Sequence, residues 1–382
     1  MLDPKSMDFV KALIREYYSK CGDLAPKAIE KREFGFGDFE RKIVYRHFSF
    51  RDWKSLKSYL TNNLPPFVSI SSAHYQSPES RPMESKGWTG SELVFDLDAN
   101  DLNLPCKAEH GGSWVCDRCL DAVKREAVKL IEDFLVPDFG FADSELLINF
   151  SGNRGYHIHV DNSAVFQLDS NARKSISNYI KGTNINIETL LPALGMRGAK
   201  LEGPRPTDYG WGGKIARGVI NALNSGPADL AALGIDKKTA SMLAKNRAEI
   251  ILGITTGNWG KVSIPSKVQF WNGILNSIVV RQGDSIDRNV STDINHLIRL
   301  PDTLHGDTGL AAKRIVSLSA LQNFDPMIDA IAFKKGSARI GISSSPKLRI
   351  GNTNIGPCKE TTAELETAAA AYLVLKRAAA VL

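Results

Sequence analysis

In the run Glu92-Leu93-Val94-Phe95-Asp96-Leu97-Asp98, strand alternation puts Leu93, Phe95 and Leu97 on one face and Val94, Asp96 and Asp98 on the other. Two carboxylates side by side repel unless cations lie between them, and hard oxygen ligands two residues apart suit Mg²⁺ or Mn²⁺. A strand end carrying solvated aspartates is the plainer alternative, because a bare Asp-x-Asp is short. Close behind comes Cys106-x₃-His110-x₅-Cys116-x₂-Cys119. Three thiolates and an imidazole form the closed tetrahedral complement of a structural Zn²⁺, against the alternative of buried free cysteines. No position is left open for substrate, so catalysis is not assigned to this metal; a knuckle that pins its loop is the reading.

Two further stretches carry donors. Leu146–Phe150, the turn Ser151-Gly152-Asn153-Arg154-Gly155 and Tyr156-His157-Ile158-His159-Val160 read as a β-hairpin. Backbone N–H groups in a Gly-containing turn approach phosphate closely, and Ser151, Arg154 and His157 suit its oxygens. An exposed hairpin with satisfied histidines, or His157 and His159 on a metal, are the alternatives. From Asp287 to Leu310 the sequence holds a carboxylate and then a short helix expected to start near Ser291-Thr292 and to stop at Pro301. A Gly-flanked loop with His305 follows. A capped surface helix with a polar loop is the alternative there.

The elements that must position these groups follow from periodicity. Ser6 is expected to cap a helix with Phe9, Leu13, Ile14 and Tyr17 at helical spacing, ending near Cys21-Gly22. Arg32–Phe36 and Ile43–Phe48 read as strands, the second carrying Arg46, for which a solvent-facing arginine is the bland reading. A helix over 51–62, a strand at Val68–Ile70 and a polar loop from Ser72 to Gly90 lead into the carboxylate strand, and a helix from Asp121 to Leu135 follows the cysteines. Segments between Asn171 and Val279, including Lys267–Ile278, have helical spacing and suggest a helical insertion; Ala228–Ile251, with Gly234 at a turn, could pass for a helix-turn-helix. The alanine-rich tail from Ala363 to Leu382, opened by Thr361-x-x-Glu364, is expected to be a helix.

With 382 residues, 43% hydrophobic and 24% charged, the chain is long enough for two or three domains. No apolar run reaches the length of a membrane span, and Met1-Leu2-Asp3-Pro4-Lys5 lacks a signal-peptide core, so a cytoplasmic protein is expected. A net charge of +6 beside an acidic cluster suggests basic surfaces gathering a polyanion around a metal site. Cys21 and Cys358 are expected to be free thiols.

Taken together, the Phe95–Asp98 strand, the Cys/His set, Ser151–His157 and Asp287–Gly309 resemble, in order and spacing, the small catalytic subunit of archaeal and eukaryotic DNA primase, over roughly residues 10–345. The resemblance implies an α/β (α+β) core of mixed, largely antiparallel sheets with a zinc knuckle and a helical insertion. The division it suggests is 1–165 for the first part of the core, 166–280 for the insertion, 281–345 for the second part and 346–382 for a tail and helix. It further implies primer synthesis from NTPs, or dNTPs, on a single-stranded DNA template, with a primase large subunit as partner. Asp96, Asp98 and Asp287 would hold catalytic Mg²⁺ or Mn²⁺, and Ser151, Arg154, His157, Arg299 and His305 the triphosphate, with Arg46 nearby. Independently of the family, two metals bridged by carboxylates activate a 3′-hydroxyl and stabilise a leaving pyrophosphate, while fixed cations neutralise phosphate charge. A metal-dependent nuclease needs the acidic site without a triphosphate pocket, a repair-type primase-polymerase shares both, and a zinc-stabilised nucleic-acid-binding module needs neither.

Overall fold

Asp3 rather than Ser6 caps the first helix, α1 (Pro4–Lys20): its Oδ1 accepts the Ser6 backbone N–H at 3.0 Å, and Pro4 takes the first helical position. Ser6 lies instead on the buried row with Val10, Ile14 and Tyr18, where its Oγ accepts the Val381 N–H at 3.0 Å. A tertiary partner therefore decides its role. The structure, a computed structural model, describes residues 2–183, 185–192, 201–261, 273, 275, 277 and 292–382. Most of the expected segment Lys267–Ile278, and Ser291, lie outside them. The chain divides into one unit of Met1–Val128, Phe141–Lys174 and Ser285–Leu382, and a second of Lys129–Gly140 and Ser175–Asp284.

In the first unit the strands run, in chain order, β1 (Phe34–Gly37), β2 (Tyr45–Phe48), β3 (Phe67–Ser71), β4 (Ala73–Tyr75), β5 (Trp88–Ser91) and β6 (Leu93–Asp98). They continue with β7 (Leu146–Phe150), β8 (Gly155–Val160), β9 (Leu297–Arg299), β10 (Arg314–Ile315), β11 (Ser337–Ser345), β12 (Leu348–Ile350), β13 (Thr353–Ile355), β14 (Cys358–Glu366) and β15 (Ala379–Val381). One sheet has the order β2-β1-β3-β9, another β10-β7-β8-β6, and a third β14-β11-β15, with β4-β5 and β12-β13 as ribbons. Every ladder among the described residues is antiparallel, in an α+β architecture of several antiparallel sheets that bears out the expected fold class. Tyr59 of helix α2 (Trp53–Asn63) packs on Phe36, Phe48 and Phe50, closing one end of the core.

Three expectations are corrected. The polar stretch Ser72–Gly90 contains β4 and part of β5, paired Ala73↔Ser91 and His74↔Gly90; a ribbon this short carries too little alternation to be read from sequence. Leu297–Arg299, expected within a helix stopped at Pro301, is strand β9, paired Ser69↔Arg299 and Ile70↔Ile298. A β-branched residue at the free edge of β3 gains more from ladder bonds than from an isolated helical turn. In the tail, Thr361 and Glu364 lie in β14, paired residue by residue with β11, and the helix is only Thr367–Leu375. The chain then turns through Arg377, at φ 60°, and β15 returns to pair Ile340↔Val381 on β11. A capping box is worth about 1 kcal/mol, too little against a nine-residue ladder.

The second unit is helical, with Gly210–Ser225, Pro227–Ala232, Lys237–Lys245 and Arg247–Thr255 as its main helices, and Gly234 at φ +85° between the second and third. Lys214 is buried against Asp138, over the Phe134 ring. No helix among the described residues is long and apolar enough to cross a membrane.

Candidate active site

Strand β6 pairs with β8 as Asp96↔His157 and Asp98↔Gly155, so the side chains of Asp96 and His157 stand next to each other on one face. His157 Nε2 lies 3.5 Å from Asp96 Oδ1. The turn between β7 and β8 is closed by Ser151, whose N–H donates to Gly155 O at 2.9 Å and whose Oγ accepts the Gly155 N–H at 3.1 Å. Gly155 must be glycine because a Cβ would stand 2.2 Å from Leu97 O. The tight turn swings Arg154 back over β6, where its Nε donates to both oxygens of Asp98, at 2.7 and 2.9 Å.

The facing wall comes from β3, β9 and the loop after β9. Arg299 is buried, with its guanidinium 4.8 Å from the Phe67 ring centroid and Nη1 3.4 Å from Val68 O. His305 stands edge-on to the same ring. Its Nδ1 accepts the Asp307 N–H at 3.2 Å, which leaves Nε2 as the protonated, donating nitrogen. Thr308 Oγ1 donates to Gly152 O at 2.6 Å and ties this loop to the hairpin turn. Gly152, at φ +85°, is also where a Cβ would meet His305 Cβ at 2.8 Å.

Between these walls lies a cleft of about 270 Å³ that brings together Asp96, Asp98, Ser151, Arg154, His157, Arg299 and His305. Burial pushes His157 and His305 well below the ordinary histidine range, assisted for the first by His159 and for both by Arg299, so both rings are neutral donors at neutral pH. Burial also lowers Arg299, to about 10, which keeps it charged at neutral pH. The arrangement can bind an anion of several charges beside a pair of carboxylates.

The four residues Cys106, His110, Cys116 and Cys119 converge as well, their ligand atoms all within 4.8 Å of one another. Cys119 Sγ lies 3.4 Å from Cys106 Sγ, 3.7 Å from Cys116 Sγ and 3.4 Å from His110 Nε2. Ligands at tetrahedral corners about 2.3 Å from a zinc ion stand about 3.8 Å apart, so the set fits that ion. His110 Nδ1 is 2.8 Å from Gly111 O; donating there, it leaves Nε2 free as a ligand.

Residues 95–317, which contain the cleft's carboxylates together with Arg299 and His305 of its facing wall, match the family described as DNA primase small subunit. The DNA primase small subunit PriS of Methanothrix thermoacetophila is 34% identical, over 98% of this chain and 98% of that protein. That of Halobacterium salinarum is 35% identical over 86% of each chain, and that of Methanococcoides burtonii 31% over 99% of each. This chain belongs to the DNA primase small subunit family. Membership sets its role in DNA replication and its chemistry as nucleotidyl transfer of the primase type.

Against that membership, Asp287 lies outside the described residues. Arg46 does not line the cleft: it sits on β2, donating from Nε and Nη2 to the two oxygens of buried Glu33 at 2.9 and 3.2 Å. Lys42, Ser69, Asn153 and His296 line the cleft without having been singled out for it by the sequence. Lys42, in a charged run between β1 and β2, carries no local signal. Ser69 could have been found only from the pairing that sets it opposite Arg299.

Proposed function

We propose that the chain synthesises primers on single-stranded DNA by template-directed transfer from nucleoside triphosphates, with Asp96, Asp98 and Asp287 as the acidic set. The observation that carries this reading is one cleft in which two carboxylates face Arg154, Arg299, His157 and His305. Asp96 and Asp98, two residues apart on one strand face, fit hard divalent cations. Mg²⁺ or Mn²⁺ held there would supply the Lewis acidity that activates the primer 3′-hydroxyl and stabilises the departing pyrophosphate. The chain's own cations do the rest. Arg299, fixed on the Phe67 face, offers its fork to phosphate oxygens without reorganising, and His305 Nε2–H and His157 add neutral donors. Arg154 donates to Asp98 and, were that carboxylate to hold a cation, would be free to donate to a phosphate oxygen instead. Ser151 holds the turn that aims Arg154, while Arg46 is held on Glu33.

Zn²⁺ on Cys106, His110, Cys116 and Cys119 is structural in this reading. A primase large subunit is the expected partner, because the cleft offers one triphosphate pocket where first-bond formation needs two nucleotides and a template. Both NTPs and dNTPs are candidate substrates, and the setting is the cytoplasmic replication machinery. The test is incorporation of labelled nucleotide on single-stranded DNA by Asp96→Asn, Asp98→Asn and Asp287→Asn. Each variant should fold and lose at least about a hundredfold in rate, since ligand and charge stabilisation go together. Near wild-type synthesis by a folded Asp96→Asn protein overturns the reading.

A further inference from the structure

Behind the cleft, one buried side chain has no role in anything described so far. Asn149, on β7, is 1% exposed, and neither its Oδ1 nor its Nδ2 has a hydrogen-bond partner among the described residues. Leaving such an amide unpaired forfeits its hydration with nothing in return, so a core position of this kind is filled by an apolar residue unless the amide has a partner at some stage. Register supplies a candidate. Asn149 pairs with His157, and His157 pairs with Asp96, so the three side chains form one row across β7, β8 and β6 on the cleft face. Directly opposed residues on antiparallel strands hold their Cβ atoms about 4.5–5.5 Å apart. His157 Nδ1 is buried and likewise without a partner among the described residues, while Nε2 faces Asp96 at 3.5 Å.

We propose that Asn149 is a positioning residue that sets the tautomer of His157, its amide N–H donating to Nδ1, directly or through one water, when a triphosphate engages Nε2. This rests on the reading of the cleft as a triphosphate pocket. A neutral imidazole donates from one nitrogen only. To donate from Nε2 to a phosphate oxygen, His157 must present Nδ1 as an acceptor, and the matching donor has to come from behind the ring. The amide on the neighbouring strand is that donor. An aspartate there would demand the opposite tautomer and turn Nε2 into an acceptor facing phosphate. Neither atom has a partner among the described residues, so the bond is assigned to the nucleotide-bound state, in which site hydrogen bonds tighten.

The test is a double-mutant cycle on the full chain, titrated with labelled ATP in the presence of Mg²⁺. Asn149→Leu, near-isosteric and apolar, should leave thermal stability unchanged or raised yet weaken ATP about tenfold, with single-stranded DNA binding unaffected. In a His157→Ala background the same substitution should have no further effect, because the amide acts through the ring. Equal losses in both backgrounds, or no loss in either, overturn the inference. If His157→Ala alone leaves ATP affinity intact, the pocket reading itself fails and takes the inference with it. Nitrogen-15 NMR of the histidine rings in the wild-type, ATP-bound protein gives a check that needs no Asn149 variant: His157 should carry its proton on Nε2. A proton on Nδ1 overturns the proposal whatever the variants do.

Discussion

At the scale of single residues, the cleft separates what binds nucleotide from what binds polynucleotide. Arg154 and Arg299 reach the same cleft from opposite walls, the first paired with Asp98 and the second fixed on Phe67. A charge-assisted hydrogen bond contributes about 1.5–3 kcal/mol, so Arg154→Ala or Arg299→Ala should weaken nucleotide binding about ten- to a hundredfold. Single-stranded DNA binding should be nearly unchanged, as titrations with labelled nucleotide and labelled DNA would show. A nuclease would give the reverse order, its phosphate contacts belonging to the DNA; that outcome would reject the triphosphate pocket. Gly152 tests how tightly the two walls are joined. Gly152→Ala puts an L-residue at φ +85° and drives a Cβ against His305 Cβ. The left-handed backbone alone costs about 1–2 kcal/mol, to be read in urea unfolding, and the displaced His305 should raise the KM for nucleotide.

Among the elements, the Cys/His loop and the carboxyl-terminal strand each make a separate claim. The loop from Cys106 to Cys119 leads from β6 into the helix Asp117–Leu130, and Gly112 O accepts from Arg154 Nη1 at 3.4 Å while Ser113 O accepts from Lys376 Nζ at 3.0 Å. A metal that closes the four-ligand site therefore also steadies the loop that touches Arg154. Cys116→Ser or chelation should remove one tightly held zinc and lower the Tm, since closing such a site contributes directly to folding. Nucleotide affinity should fall in parallel. A purified chain without zinc would overturn the assignment. At the other end, β15 adds the outer rung to β11 and meets Ser6 of α1 through Val381. Removing residues 378–382 should lower the unfolding midpoint, measured in denaturant, far more than an exposed terminus would.

For the whole molecule, buried titratable groups set the response to acid. Burial holds His74 down at about 4, and His157 and His305 are also held low, so all three are neutral in the folded chain at neutral pH. In the unfolded chain each protonates near its ordinary value of about 6.5. Below that pH the unfolded state binds more protons, and stability falls until the folded values are reached. Glu92 adds to the effect. Burial alone would raise it, but Arg32 and His159 together hold its carboxyl well below the usual range, so its contribution, full above the unfolded carboxylate pKa, is lost on further acidification. Thermal melts should give a Tm that falls progressively from about pH 6.5 downward. A Tm unchanged between pH 7.5 and pH 5 would show that these groups are not buried as described.

The sequence by itself determined what short-range periodicity and spacing can encode. Strand alternation puts Asp96 and Asp98 on one face, the Gly-bounded turn carries Arg154 as a phosphate donor, and the Cys/His spacing closes a four-ligand set; each depends on residues within one element or a short stretch of chain. The tertiary structure decided the rest. Arg299 meets Val68 across 231 positions, and it was placed by the free edge of β3, which turned an expected helix into β9. The same competition made Thr361–Glu366 a strand on β11, buried Ser6 under Val381 and committed Arg46 to Glu33. In each case a ladder, a hydrogen bond or an ion pair made outside the element outweighed a local preference worth about 1 kcal/mol, and no local pattern records which partner will arrive.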